Sequence, residues 1–85
     1  MLMDQGEIIR DRLLLTLAER YESDSSQFVT LSRQTMDSAL AREVVAILRN
    51  EKTIEEQTRG VVRLTARGYY SYKNQALREA ILAAS

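Results

Sequence analysis

Near the start of the chain, apolar side chains recur at helical spacing. Ile9, Leu13, Leu17 and Tyr21 share one stripe, Ile8, Leu14 and Ala18 flank it, and Arg10, Asp11, Glu19 and Arg20 lie mostly outside it. The spacing predicts a core-facing helix of roughly four turns. Asp4-Gln5-Gly6-Glu7 has the Asp-x-x-Glu spacing of a capping box and marks its start. Glu22-Ser23-Asp24-Ser25-Ser26-Gln27 holds backbone-binding side chains and no aliphatic residue, so the helix ends there in a loop.

Phe28-Val29-Thr30-Leu31 is aromatic and β-branched, which predicts a short edge strand. Ser32 is placed to cap a short second helix that carries Met36, Ala39 and Leu40 inward. Leu40, Val44, Ile47 and Leu48 then predict a third helix from about Ser38 to Asn50 or Glu51. Beyond it the period changes. Thr53-Ile54-Glu55-Glu56-Gln57 and Val61-Val62-Arg63-Leu64-Thr65 are separated by Thr58-Arg59-Gly60, the signature of a hairpin whose glycine supplies a positive φ. Two strands are marginal alone, so this ribbon must lie against the helices. After Gly68, the residues Tyr69, Tyr72, Leu77, Ala80, Ile81 and Ala84 predict a last amphipathic helix over 69–85. The order α, β, α, α, β, β, α describes a single α+β, mostly helical domain over 1–85.

Composition narrows the chemistry. A chain of 85 residues buries too little surface to divide its core, and its 45% hydrophobic and 28% charged residues are those of an ordinary globular domain. It has no His and no Cys, which removes the usual zinc ligands, the thiol nucleophile and the imidazole base. With no glycine-rich phosphate loop either, no catalytic site, metal or cofactor is expected, and the chain reads as a non-enzyme. Its longest strongly apolar stretch, Leu13 to Ala18, is far short of a bilayer span and no cationic leader precedes an apolar run. The expectation is a cytoplasmic protein without a membrane partner.

Net charge is zero, but the distribution is lopsided. Residues 1–27 hold six acids and three bases, residues 28–57 five acids and four bases, and residues 58–85 one acid and five bases. Local charge therefore runs from −3 through −1 to +4.

The strings Leu48-Arg49-Asn50-Glu51-Lys52-Thr53-Ile54-Glu55 and Val62-Arg63-Leu64-Thr65-Ala66-Arg67-Gly68-Tyr69, in this element order, resemble the winged helix-turn-helix family of bacterial and archaeal DNA-binding regulators. Leu64-Thr65-Ala66-Arg67-Gly68 matches the Leu-Thr-x-x-Gly that closes the wing in that family, and the similarity runs from about Ile8 to Tyr70. There are two departures. Lys52 stands where the family usually ends its recognition helix with glycine, so a lysine would have to take or avoid a left-handed cap. The join near Asp37-Ser38-Ala39 also lacks the common glycine.

What the resemblance implies is a three-helix core with a short hairpin wing and a C-terminal helix, bound to double-stranded DNA. Helix 38–50 would enter the major groove and the 53–65 wing would follow the backbone. On a helical wheel, Leu40, Val44 and Ile47 centre the inward stripe with Leu48 at its edge, leaving Arg42, Ala46 and Arg49 opposite and Ser38 near the same outer face. Arg42 and Arg49 are then candidate donors to guanine edges or phosphates, and Ala46 permits close approach. Without DNA they are solvated helix cations, Arg49 favoured near a C-terminus, and Glu43 beside them repels phosphate.

Arg59 at the hairpin tip, Arg63 on the return strand and Arg67 just beyond are candidate phosphate contacts. Equally, such cations deter edge-to-edge pairing of strands. Glu55 and Glu56 on the opposing strand can pair with these arginines. Being adjacent strand residues, they point to opposite faces and do not form a metal or catalytic pair. Arg33, Gln34 and Thr35 can reach phosphates from the start of the second helix, or serve as cap and surface groups.

Tyr69, Tyr70 and Tyr72 read as core and interface residues rather than platforms for unpaired bases. Tyr70, Leu77, Ala80, Ile81 and Ala84 form a stripe that either covers the core or pairs with its copy in a homodimer, which is the expectation. The alternative function is a protein-protein interaction module on the same fold that binds no DNA. It is motivated by the zero net charge and by Glu43, Glu51, Glu55 and Glu56 near the supposed DNA face.

Overall fold

In the computed structural model, which describes residues 4–84, seven elements follow in the order α1 (Gln5–Ser23), β1 (Val29–Thr30), α2 (Arg33–Asp37), α3 (Ala39–Asn50), β2 (Ile54–Thr58), β3 (Val61–Leu64) and α4 (Ala66–Ala84). The fold is α+β and mostly helical, with a three-stranded antiparallel sheet ordered β1-β3-β2. Among the described residues no helix is long and apolar enough to cross a membrane. Ser85, at the end of the expected last helix, lies outside the described residues.

Local chemistry accounts for the boundaries. The Asp4 carboxylate accepts the Gly6 N–H at the start of α1, and Asp24, whose backbone N–H closes on the Arg20 carbonyl, ends it. Asp24 then accepts both the hydroxyl and the backbone N–H of Ser26, bonds that lower its pKa and turn the chain toward β1. Ser32 caps α2 by accepting from the Thr35 N–H, and Ser38 caps α3 by accepting from the Ala41 N–H. No glycine is needed at the α2–α3 join, because Ser38 has extended dihedrals (φ −81°, ψ 120°) and serves as C-cap of one helix and N-cap of the next.

At the end of α3, Lys52 adopts the left-handed conformation (φ 63°). Its N–H reaches the Arg49 carbonyl and the Thr53 N–H reaches the Leu48 carbonyl, both at 3.0 Å, which is the Schellman pattern. A lysine thus does what glycine does more cheaply. The hairpin is shorter than expected. Its strands are joined by Arg59-Gly60, with Gly60 at φ 83°, and an extra residue, Gln57, bulges from β2 between Glu56 and Thr58.

Leu13, Leu14, Leu17 and Ala18 of α1 meet Val44, Val45 and Leu48 of α3 over Ile54, Val62 and Leu64 of the sheet. Tyr21, Val29, Leu31, Tyr69 and Tyr72 close the margins. Here α3 departs from expectation. Leu48 is fully buried rather than at the edge of the stripe, Leu40 is half-buried, and Ile47 is 44% exposed. The inward arc centres on Ala41, Val44, Val45 and Leu48, a rotation of about 80° from the expected stripe at 100° per residue. Eight of the twelve α3 residues are aliphatic or alanine, and the sheet recruits the side bearing Val45 and Leu48.

The last helix also begins earlier than expected, at Ala66. Thr65 Oγ1 accepts the Gly68 N–H at 3.0 Å and donates to the Lys52 carbonyl at 2.7 Å, while the Thr65 N–H donates to the Thr53 carbonyl. This ties the start of α4 to the end of α3. Gly68 lies inside the first turn, where a β-carbon would stand 2.1 Å from the Thr53 carbonyl oxygen. The Leu-Thr-x-x-Gly string is therefore one mechanical unit: a buried leucine, a cap that bridges two helices, and a glycine that permits their close approach.

Candidate nucleic-acid interface

Rotation of α3 places its arginines. The outermost arc of the helix holds Ala39, Glu43, Ala46 and Asn50, whereas Arg42 and Arg49 lie on the flank turned toward the hairpin. Between that flank and the hairpin runs an open cleft of about 390 Å³, lined by Met36, Arg42, Val45, Ala46, Arg49, Glu56, Gln57, Thr58 and Arg59. It brings together three of the arginines nominated from the sequence, with half-buried Ala46 on its wall.

Their states differ. Arg42 Nη1 donates to the Met36 carbonyl at 2.9 Å, holding the guanidinium at the end of α2. Arg49 Nη1 meets Glu56 Oε1 at 2.6 Å, and Glu56 Oε2 accepts the Gly60 N–H at 3.1 Å. The Gly60 amide is the main reason the Glu56 carboxyl is held below its ordinary pKa; the Arg49 guanidinium and the nearby Arg59 charge act in the same direction against the cost of burial. Arg59 is exposed at the hairpin tip and forms no ion pair among the described residues. Gly60, opposite, packs on Met36, so the hairpin is seated against α2.

The other nominated residues lie elsewhere. Arg63 is on the central strand, cross-strand from Glu55. Its guanidinium sits 4.3 Å over the Phe28 ring, pairs with Glu55 and donates to the Ser26 carbonyl at 2.7 Å. Arg63 thus fastens the loop before β1 to the sheet. Gln34, Thr35 and Ser38 line a separate open groove of about 560 Å³ between α1, β1 and α2, with Arg12 at its rim. Thr35 and Ser38 also serve as cap groups there. Arg33 is exposed on α2. Arg67 lies in the first turn of α4 beside Glu51, Thr53 and Ser71, rather than following the hairpin as a free segment.

Glu55 and Glu56 diverge as the strand geometry requires. Glu55 faces Arg63 on one side of the sheet and Glu56 turns to α3 on the other. Sequence reasoning paired the two glutamates with hairpin arginines, and one of the partners proves to be Arg49 of α3. It missed Met36, Gln57 and Thr58 as cleft residues. The bulge that brings Gln57 and Thr58 to the cleft has no strong local signal, since no glycine marks it.

On α4, Tyr69 and Tyr72 turn inward and Tyr70 outward. Tyr69 stacks on Tyr21 with centroids 4.4 Å apart, and its hydroxyl donates to Glu22 at 2.7 Å. Of the nominated stripe, Tyr70, Leu77, Ile81 and Ala84 lie on the side away from Tyr72 and Ala80 on the flank, all five exposed, with Leu77 60% exposed. The stripe does not cover the core.

Compared with family models, curated proteins and solved structures, the chain matches none of them.

Proposed function

We propose that this chain is a winged helix-turn-helix protein that binds double-stranded DNA, with α3 entering the major groove and the hairpin following the backbone as the wing. The observation that carries the reading is the cleft in which Arg42, Arg49 and Arg59 converge from α3 and the hairpin tip. Cations from a groove-sized helix and a hairpin tip, set on either side of one channel, suit a phosphate strand passing between them. A small transcriptional regulator is the role this arrangement fits. Arg42, Arg49 and Arg59 are the contacts we assign first. Arg33 and Arg67 are outlying phosphate contacts, and Gln34, Thr35, Ser38 and Arg63 come after them: all four lie outside the cleft, and the last three already make local structural bonds.

A backbone-amide NMR titration with a mixed-sequence duplex at about 50 mM and about 200 mM salt tests this, because phosphate contacts weaken steeply over that range. Shifts confined to residues 38–50 and 56–60 that fade with salt are expected. Absence of shifts at the lower salt defeats the reading.

The second reading, a protein-interaction module, draws on the pairing of Arg49 and Arg63 with Glu56 and Glu55, which leaves less free positive charge on this face. In either case we propose a homodimer through α4, supported by the exposed Tyr70, Leu77 and Ala84 facing away from the domain body. Sedimentation equilibrium of the intact chain and of Leu77→Glu separates dimer from monomer. A wild-type monomer at high protein concentration removes the dimer.

A further inference from the structure

The Glu56 side chain is only 14% exposed, although it lines an open cleft. Both oxygens are engaged, one by the Arg49 guanidinium and the other by the backbone N–H of Gly60, with the Arg59 charge nearby. A guanidinium, a main-chain N–H at a tight turn and a second guanidinium are the donors a phosphate group takes. In this cleft the first two bond the chain's own carboxylate, and the third lines the same cleft. Glu55, one residue earlier, has no such role, because it lies on the opposite face of the strand with Arg63.

We infer that Glu56 is an internal counter-anion seated where a backbone phosphate of bound DNA would sit, so that Arg49 contacts the duplex only by exchanging carboxylate for phosphate. The inference rests on the DNA-binding reading. It makes Glu56 an attenuator of affinity. A duplex presented in the wrong register gains nothing from Arg49, since the guanidinium stays with Glu56, and only a phosphate delivered into the seat by α3 and the wing together displaces the carboxylate. Non-specific binding is suppressed more than specific binding.

Glu56→Gln retains the length and an oxygen for the Gly60 N–H and removes the charge that holds Arg49. Glu51→Gln, whose partner is Arg10 on α1, makes the same change in net charge away from the cleft. Binding of a mixed-sequence duplex is measured by fluorescence anisotropy for wild type, both variants, and Glu56→Gln combined with Arg49→Ala. Retention of fold is checked by circular dichroism and by the Gly60 amide resonance.

Glu56→Gln is expected to bind about fivefold to tenfold tighter than wild type at about 50 mM salt. Its advantage should shrink about threefold to fourfold by about 200 mM, the loss expected for one added phosphate contact. The gain should vanish in the Arg49→Ala background and be under about twofold for Glu51→Gln. Binding by all variants with equal gains from Glu56→Gln and Glu51→Gln, or a gain that survives Arg49→Ala, overturns the counter-anion role and leaves DNA binding standing. No binding by wild type or Glu56→Gln overturns the DNA reading and this inference with it. Should Glu56→Gln fail the fold check, Glu56→Asp replaces it. Withdrawing the carboxylate by one methylene should give a smaller gain that again requires Arg49, and the absence of any gain overturns the role.

Discussion

Helices α3 and α4 carry comparable sequences, each with an apolar arc, arginines and several alanines, yet the structure uses them in opposite ways. The arc of α3 is sealed against α1 and the sheet, and Arg42 and Arg49 are held at its flank by a carbonyl and a carboxylate. The first two turns of α4 are fastened to the domain body. Gly68 and Thr65 press them on the end of α3, and Tyr69 and Tyr72 rest on the core, while the stripe through Leu77 faces outward. Amphipathicity thus says that a helix has a partner. Which partner depends on what tertiary structure lies beside each turn.

The sharpest way to break this contrast is at its hinge. Gly68→Ala puts a methyl group against the Thr53 carbonyl, a backbone atom that cannot step aside without moving the α3–β2 turn. We expect a loss of about 3–5 kcal/mol, in the range of severe packing defects, seen as a large fall in the urea midpoint. A fall under about 1 kcal/mol would mean that the two helix ends are not locked together.

Truncating matched leucines sharpens the same comparison. Leu48→Ala empties a fully buried site and should cost about 2–5 kcal/mol, whereas Leu77→Ala should alter the stability of the monomer by no more than about 0.5 kcal/mol. Measured at a protein concentration where the chain self-associates, Leu77→Ala should lower the melting temperature further, and that excess should disappear on dilution. Equal effects at all concentrations would place Leu77 in the core of the monomer.

These sites also show what could be read before the structure. Element order, the Ser32 cap and the hairpin follow from short-range chemistry, so periodicity and that capping residue were sufficient, whereas Ser38 was nominated for the outer face of the third helix and serves as its N-cap. The facing of α3 did not follow in this way, because a stripe broad enough to include Leu40, Ala41, Val44, Val45, Ile47 and Leu48 fits several rotations, and the sheet chooses among them. The site inherits that error. Arg42 and Arg49 were nominated as DNA contacts on an outermost face; the structure puts them instead on the flank that lines the cleft, where Glu56 is the neighbour of Arg49. For Arg63 the sequence offered a phosphate contact or a pairing with the glutamates of the opposing strand, and the Glu55 pair is present, but nothing local reveals that Phe28 and Ser26 will lie beneath it.

A smaller effect is expected at Lys52, whose left-handed backbone is costly for any residue with a β-carbon. Lys52→Gly relieves that strain but adds freedom to the unfolded chain, so the net gain should be about 0.5–1 kcal/mol. The comparison with Gly68 is direct: glycine is missing where conformation calls for it and present where space does. A loss of stability on this substitution would show that the Lys52 side chain contributes more than its backbone costs.

The smallest expected effect lies where the fastened part of α4 meets α1. The Tyr69 hydroxyl donates to Glu22, and this bond, with burial and the Glu22 charge behind it, raises the phenol from 10.0 to about 12. The same bond, aided by Lys73, lowers the Glu22 carboxyl from 4.5. The sign follows from each direction. Stabilisation linked to the raised phenol is complete below about pH 10 and is lost as pH rises through about 12, when Tyr69 ionises in the folded state. Stabilisation linked to Glu22 is present above about pH 4.5 and is lost as pH falls through its lowered folded value. Both groups touch solvent, so the amplitude is small and the position of the titration is the better readout. Ultraviolet titration of the four tyrosines should show one phenol ionising near pH 12, and Glu22→Gln should move that phase toward lower pH. If the late phase is unchanged by Glu22→Gln, the tie is not between these two residues, and the first turns of α4 are held to α1 by the stacking of Tyr69 on Tyr21 and the packing of Tyr72 instead.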